Sequence, residues 1–241
     1  LGNGYKISQL SKLSRKDLNE EIKKTYSDIH KNPDQEIEFI ISELILSMLE
    51  LDEGKFDKLF TNSLIKRGLE KTITEVIFPF VERMGIMWRT GDISAAQEHF
   101  MYFLIRQKTI VSIDSLPPPE KKAKKFLVFL PESDFDDLFI LLAIYLIKTK
   151  KNKIINLGQN ISIEDLSPIV AQVKPDVLLT FLTNQTNYND LQGYVDSLKT
   201  TFPNCEIIVS GRTEILDEIK FPEKLISINS LEDLGDYLES E

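Results

Sequence analysis

The stretch that decides the fold is "FLVFLPESDFDDLFILLAIYLI", residues 126–147. It joins an apolar run of strand length to an apolar run of helix length through a short polar hinge. A continuous apolar run of five residues is typical of a strand that is buried on both faces of a parallel sheet. A strand that leads directly into a helix therefore predicts the first unit of an α/β domain.

The same pattern repeats to the end of the chain. Four more short apolar runs follow, separated by segments of helical length: "KIINLG" at 153–158, "DVLLTFL" at 176–182, "EIIVSG" at 206–211 and "LISIN" at 225–229. This alternation predicts a five-stranded, doubly wound parallel sheet of the Rossmann or flavodoxin type over residues 126–241.

Residues 31–115 have helical periodicity instead. Four amphipathic segments with short connections predict an antiparallel four-helix bundle. In the last segment, Ser94 and Gln97 have the spacing of a capping box, and Pro79 predicts a kink in the third. The Pro- and Lys-rich segment 116–125 cannot continue a helix, so we place a solvated linker there.

Charge and cysteine content limit the class of protein. The formal net charge is −9, so most of the chain is a poor candidate for contact with phosphate backbones. A single cysteine, Cys205, excludes an internal disulfide or a cysteine metal cluster and predicts a cytoplasmic protein. No apolar run reaches the length of a membrane span, and no nucleophile–base pair is recognisable. We therefore expect no membrane partner, no metal site and no enzymatic activity.

The polar hinge carries four carboxylates at the end of the first strand, where α/β domains bind ligands: Glu132, Asp134, Asp136 and Asp137. Paired aspartates hold Mg²⁺ in phospho-acceptor receiver domains, but the third strand here ends without an acid and the fifth without a lysine. A dinucleotide site would need a Gly-rich turn, which is missing. On residue chemistry alone, capping of the following helix is the favoured interpretation.

Bundle, linker and α/β domain in this order resemble the cobalamin-binding effector region of MerR-type transcription regulators, such as the light-responsive repressors of carotenoid synthesis. "GYKISQLSKLSRKDLNEEI" at 4–22 is similar to the last helices of a MerR winged-helix DNA-binding domain, so we interpret 1–30 as its remnant. "WRTGDISAAQEHF" at 88–100 is similar to the bundle motif of a Trp followed by Glu-His. "NLGQNISIEDL" and "VKPDVLLTFL" resemble the second and third strands.

The resemblance implies a cobalamin site whose lower half is altered. In that family, the first loop has an Asp/Glu-x-His-x-x-Gly motif, in which His ligates cobalt and Gly leaves room for the nucleotide tail. Phe135 stands at the His position and Leu138 at the Gly position. A phenyl ring cannot ligate cobalt, and Leu138 would crowd the tail, so we expect cobalamin binding to be altered or absent.

Other positions of the implied cofactor site lie on the third and fourth strands. Thr180 and Leu182 keep a Ser/Thr-x-Leu signature on the third strand. Ser210 replaces the first residue of a Gly-Gly pair after the fourth, and Gly211 keeps the second. By resemblance, these four residues are candidate contacts of the cofactor.

The resemblance also places three bundle residues, Trp88, Glu98 and His99, over the upper face of the corrin ring. His99 would there offer an alternative cobalt ligand. From the residues alone, Trp88 is equally well a core anchor, Glu98 a partner of the helix dipole and His99 a structural histidine. Both interpretations stay open at this point.

The sequence therefore predicts the effector region of a MerR-family transcriptional regulator. One alternative is a corrinoid carrier module of a methyltransferase system, and another is a ligand-free self-association module. For the regulator, we expect DNA contact through an N-terminal domain that precedes Leu1, not through this chain, and we expect a homo-oligomer.

Overall fold

The computed structural model describes residues 33–132, 137–182, 190–211, 213–222 and 225–240. The proposed winged-helix remnant at 1–30 and Phe135 lie outside the described residues. The chain divides into two compact units, Leu1–Glu98 and His99–Glu241. Each unit is described by itself below.

Residues 33–114 contain helices, as the periodicity predicts. The elements are α1 (Pro33–Glu50), α2 (Glu53–Arg67), α3 (Leu69–Lys71), a π-helical segment (Thr72–Ile77), α4 (Phe78–Thr90) and α5 (Ala95–Asp114). Helix α5 runs from the end of the first unit into the second. The antiparallel arrangement of a four-helix bundle stays a prediction.

Two local signals in this helical region have clear structural outcomes. The capping box is confirmed, because the Ser94 amide donates to Gln97 Oε1 at 2.9 Å and the Gln97 amide donates to Ser94 Oγ at 3.3 Å. Pro79 follows directly on the π-helical segment, in which the Phe78 amide bonds to the Ile73 carbonyl five residues back. This widened turn is a known way for a helix to accommodate a proline.

The α/β region contains the predicted five parallel strands. The elements are β1 (Lys125–Pro131), α6 (Leu138–Thr149), β2 (Lys153–Ile161), α7 (Ile163–Val173), β3 (Val177–Leu182), α8 (Leu191–Thr201), β4 (Glu206–Gly211), α9 (Thr213–Leu216), β5 (Leu225–Ile228) and α10 (Leu231–Ser240). The strand order is β2-β1-β3-β4-β5, and each neighbouring pair is parallel. The doubly wound prediction is confirmed.

Helices pack on the sheet in two pairs. Leu166 of α7 and Leu198 of α8 belong to one apolar cluster with Leu178 and Leu182 of β3. Helices α6 and α10 contact each other and pack on the remaining strand residues, with α6 against β1 and β2 and α10 against β5. Because side chains alternate along a strand, each strand residue faces either the α7/α8 pair or the α6/α10 pair.

The second unit begins within α5, earlier than the predicted linker at 116–125. Tyr102 and Arg106 of α5 bind Asp137 directly before α6. The linker at 116–125 stays a prediction. Within the described ranges, no helix combines the length and apolar content that a membrane span requires. In the same ranges, no three acidic, imidazole or thiol side chains are grouped as metal ligands.

Candidate functional site

Strands β1, β3 and β4 end at the carboxyl edge of the sheet, where the candidate residues of the α/β region lie. Leu138 is the first residue of α6, and its side chain is 2% exposed. A glycine at this position would leave a space that the leucine side chain occupies. The buried Leu138 side chain therefore fills the space at the start of α6.

Asp137 corrects the capping interpretation of the acidic hinge. It occupies the N-cap position of α6, but its side chain makes no capping hydrogen bond. Its carboxylate instead accepts hydrogen bonds from the Tyr102 hydroxyl and from Arg106 Nε, the latter at 3.1 and 3.2 Å. Two side chains of α5 therefore outcompete the helix amides for this carboxylate. Asp134 and Asp136 lie outside the described residues.

We call Tyr102, Arg106 and Asp137 the clasp. Arg106 Nη2 lies 3.1 Å from Asp137 Oδ2, so the guanidinium binds both carboxylate oxygens. The Asp137 side chain is only 16% exposed, whereas that of Arg106 is 38% exposed. The hydrogen bond to Asp137 is the main cause that raises the pKa of Arg106, against the lowering by burial. The clasp is thus a charged pair that ties α5 to the first residue before α6.

Thr180 lies on β3, the central strand of the sheet, two residues before the carboxyl end of that strand. Its side chain is on the α7/α8 face. Its strand neighbours are Phe129 of β1 and Val209 of β4, and both belong to the apolar cluster on that face. Thr180 Oγ1 is buried and has no hydrogen-bond partner among the described residues. A buried hydroxyl without a partner costs about 1–3 kcal/mol, so this is an unusual place for a threonine.

Ser210 lies on the opposite face, toward α6 and α10. Its partner across the β3–β4 pair is Phe181, the residue between Thr180 and Leu182. Ser210 is 8% exposed and Phe181 is 2% exposed. The structure therefore separates the strand candidates, with Thr180 and Leu182 on one face and Ser210 on the other.

Gly211 is the candidate position with the tightest surroundings. A Cβ atom built there would lie 2.8 Å from the Leu182 carbonyl oxygen and 3.4 Å from Leu216 Cδ2. A backbone oxygen cannot move away as a flexible side chain can. The close approach of β4 to the end of β3 thus requires glycine at this position.

The three upper candidates belong to α4 and α5. Trp88 is in the last turn of α4, which ends at Gly91 in the left-handed conformation with φ of 77°. Its side chain is 44% exposed, so the interpretation of Trp88 as a core anchor is wrong. Glu98 is half-buried and His99 is exposed in the first turns of α5. Trp88 and Glu98 belong to the first unit and His99 to the second, so their convergence on one ligand stays a prediction.

Sequence reasoning missed the clasp and Phe181. Nothing in the sequence links Arg106 to Asp137, because the two residues are separated by 31 positions and each looks like an ordinary surface charge. Phe181 had a usable signal, since strand alternation puts it, rather than Thr180, on the same face as Ser210.

These residues do not fit a cobalamin bound through a lower histidine ligand. The sequence has two histidines, His30 and His99, and neither lies between 126 and 241. Leu138 fills the start of α6 on the same side of the sheet on which Phe181 stands beside Ser210. The carboxyl edge thus lacks the axial ligand, and buried apolar side chains stand at the start of α6 and beside Ser210.

Comparisons with known proteins find similarity in the helical region. Residues 40–109 match the B12 binding domain family. This match falls within α1 to α5 and stops before β1. The match therefore rests on the helical region and does not include the loop between β1 and α6.

Two individual proteins are similar to longer parts of the chain. The HTH-type transcriptional repressor CarH of Myxococcus xanthus is 24% identical over 133 residues, which are 55% of this chain and 44% of that protein. The chain therefore spans less than half the length of this relative. The monomethylamine corrinoid protein of Methanosarcina barkeri has a TM-score of 0.66 at 16% identity and covers 85% of this chain and 99% of its own. At that identity the likeness shows a shared fold.

Proposed function

We propose that this chain is the effector region of a MerR-family transcription regulator that keeps the cobalamin-binding fold with an altered ligand site. The similarity to a helix-turn-helix repressor and the B12 binding domain match at 40–109 support the regulator. One observation carries the altered site, namely the 2% exposed Leu138 where the resemblance expects a glycine.

The clasp suggests how ligand binding at the carboxyl edge of the sheet affects helix α5. Asp137 ends the loop between β1 and α6, and both of its partners are on α5. A ligand that displaces this loop would have to move Asp137 against two hydrogen-bonding side chains, or release them. In either case α5 responds, and α5 is the helix that continues from the first unit. We propose that the clasp couples ligand state to the helical region.

Regulation without catalysis is part of the proposal. Burial, followed by the nearby carboxylate of Asp176, raises the pKa of the Cys205 thiol, so little of it is thiolate at neutral pH. Cys205 is also half-buried, at the entry to β4. These properties make Cys205 a weak nucleophile and support a chain that acts without cysteine catalysis.

A corrinoid carrier is the second candidate. It is supported by the fold likeness to the monomethylamine corrinoid protein. A ligand-free self-association module is the third, supported by the buried Leu138 and Phe181. For the regulator, we propose that sequence-specific DNA recognition belongs to an N-terminal DNA-binding domain and that the protein forms a homo-oligomer.

Spectroscopy after desalting separates the regulator from the corrinoid carrier. Purified protein is mixed with adenosylcobalamin in the dark, desalted and scanned in the visible range. The regulator with an altered site predicts no retained spectrum of a lower-histidine-ligated corrinoid. Retention of such a spectrum would contradict the proposal. Turnover of added methylcobalamin with a thiol acceptor would favour the carrier instead.

A further inference from the structure

The amino edge of the sheet brings together lysines from two separate segments of the sequence, 121–125 and 151–153. We call six of them the lysine edge: Lys121, Lys122, Lys124, Lys125, Lys151 and Lys153. Four of the six are exposed, and Lys124 and Lys125 are half-buried. The sequence alone suggests a solvated linker for the first four, but the fold joins them to the start of β2.

Backbone bonds fix these lysines next to one another. Lys125 and Lys153 are register partners at the starts of β1 and β2. The Lys153 amide donates to the Lys124 carbonyl at 2.9 Å, and the Glu120 amide donates to the Lys151 carbonyl at 3.0 Å. The segment before β1 is therefore hydrogen-bonded to the residues at the start of β2. The lysines of the two segments are neighbours as a result.

The positive charge of this edge is only partly neutralised. Lys124 pairs with Glu206 at 3.7 Å and Lys151 with Glu120 at 3.2 Å. Lys125 Nζ donates to the Val173 carbonyl at the end of α7. Among the described residues, Lys121, Lys122 and Lys153 form no ion pair. Three cations at the rim are thus available to an external anion.

We propose that the lysine edge binds the phosphodiester backbone of a nucleic acid, weakly and without sequence preference. Ammonium groups on flexible stems act as point charges for phosphate, and they release counterions when they bind a polyanion. The edge lies opposite the carboxyl edge, so this site is separate from the candidate cofactor site. The inference does not rest on cobalamin binding.

The composition of the edge suits a phosphate contact without sequence preference. All six cations are lysines, which bind phosphate as point charges and, unlike arginine, impose no planar pairing geometry. The intervening residues Ala123 and Asn152 are small or polar, and the half-buried Tyr237 beside Lys124 donates its hydroxyl to Glu206, so these residues provide no apolar anchor for a bilayer. Duplex DNA and single-stranded RNA both present such a phosphodiester backbone.

This inference departs from the expectation, drawn from net charge, that the chain leaves DNA contact to another segment. A net charge of −9 describes the whole chain, but six lysines lie at this edge beside three carboxylates in contact with them, Glu120, Asp176 and Glu206, which leaves a local excess of three positive charges (6 − 3). Local potential, rather than net charge, decides weak contacts within a Debye length of about 8 Å at physiological salt.

The test compares two triple variants with the same change in net charge. Lys121→Gln, Lys122→Gln and Lys153→Gln remove the unpaired cations of the edge. The matched control carries Lys58→Gln, Lys71→Gln and Lys220→Gln, which are also exposed but lie in α2, α3 and after α9. Fluorescence anisotropy follows binding of a mixed-sequence DNA duplex, a single-stranded RNA and poly-glutamate over a salt series.

We expect the wild type and the control to bind nucleic acid with a log–log salt slope of about −3, or about −0.9 for each phosphate contacted. The edge variant should lose at least tenfold in affinity at low salt, with a slope near zero. Binding of DNA only, or of RNA only, identifies the natural source of the phosphates. Equal loss in both variants, equal binding of poly-glutamate, or no nucleic-acid binding at low salt would overturn the proposal.

Discussion

The two faces of the sheet carry different kinds of side chain near its carboxyl edge. The α7/α8 face is an apolar cluster into which β3 places the buried hydroxyl of Thr180, which has no hydrogen-bond partner among the described residues. The α6/α10 face presents Ser210 beside Phe181, below the helix that Leu138 begins. Residues that look like parts of one site in the sequence are thus divided between two faces. A motif read along a strand identifies a site only after its face is known.

The two faces also differ in the kind of side chain that they bury. On the α6/α10 side, the apolar side chains of Leu138 and Phe181 are each 2% exposed. The α7/α8 side has a polar atom that lacks a role in the described fold. Each difference can be tested by a substitution with a calculable sign.

Leu138→Ala should have the largest effect. A leucine that is 2% exposed should lose about 2–5 kcal/mol of unfolding free energy when truncated. Chemical denaturation measures this loss, and Leu49→Ala, at a leucine that is 40% exposed in α1, is the control, for which we expect about 0.5 kcal/mol or less. A cost for Leu138→Ala that equals the control would mean that the α6 side is open after all.

Gly211→Ala should have the next largest effect. The new methyl group would meet the Leu182 carbonyl oxygen at 2.8 Å, and relieving such overlap costs about 1–3 kcal/mol. Gly235→Ala is the control, because a Cβ there meets nothing within 4 Å and the position is inside α10. Alanine in that helix should add about 0.5–1 kcal/mol. Thermal melts that shift in the same direction for both variants would contradict the close approach of β4 and β3.

The clasp should give a smaller, salt-dependent coupling. In a double-mutant cycle of Arg106→Gln and Asp137→Asn, we expect a coupling energy of about 1 kcal/mol, since the pair is bidentate but Arg106 is partly exposed. Urea denaturation at low and high salt measures it. Lys150 and Glu239, at 2.9 Å with both ends more exposed to solvent than Asp137, form the control pair. A coupling no larger than that of the control would remove the clasp from the proposed signal path.

Thr180→Val should stabilise the protein slightly. Replacing a buried hydroxyl that has no partner removes a desolvation penalty and adds about 1 kcal/mol to the unfolding free energy. Thr109→Val is the matched control, because the buried Thr109 Oγ1 donates to the Ile105 carbonyl at 2.8 Å, so that variant should gain nothing. Equal effects at both positions would show that the Thr180 hydroxyl is satisfied in solution.

The fold was predictable because periodicity is a local property. Apolar runs such as 126–130 gave the strands, and the Ser94–Gln97 spacing gave a helix start that the hydrogen bonds confirm. The clasp was not predictable, because the tertiary structure decides whether Asp137 accepts hydrogen bonds from the first amides of α6 or from Arg106, which is distant in sequence. The division of the strand residues between the two faces follows from the alternation of side chains along a strand, so Thr180 and Leu182 share a face that Ser210 does not. The lysine edge needed the strand register, which no single segment contains.

Adenosylcobalamin binding in the dark tests the altered site most directly. The samples are the wild type, Phe135→His, Leu138→Gly, the pair, and the pair with Ser210→Gly, each desalted and scanned in the visible range. We expect no retained corrinoid for the wild type or for either single variant. Phe135→His adds an imidazole but leaves the Leu138 side chain in place, and Leu138→Gly removes that side chain but adds no imidazole. The pair should retain it weakly, and Ser210→Gly should increase retention. A wild type that binds as well as the pair would show that the loop at 132–138 does not determine binding, and that the reading of this loop as an altered cofactor site is wrong.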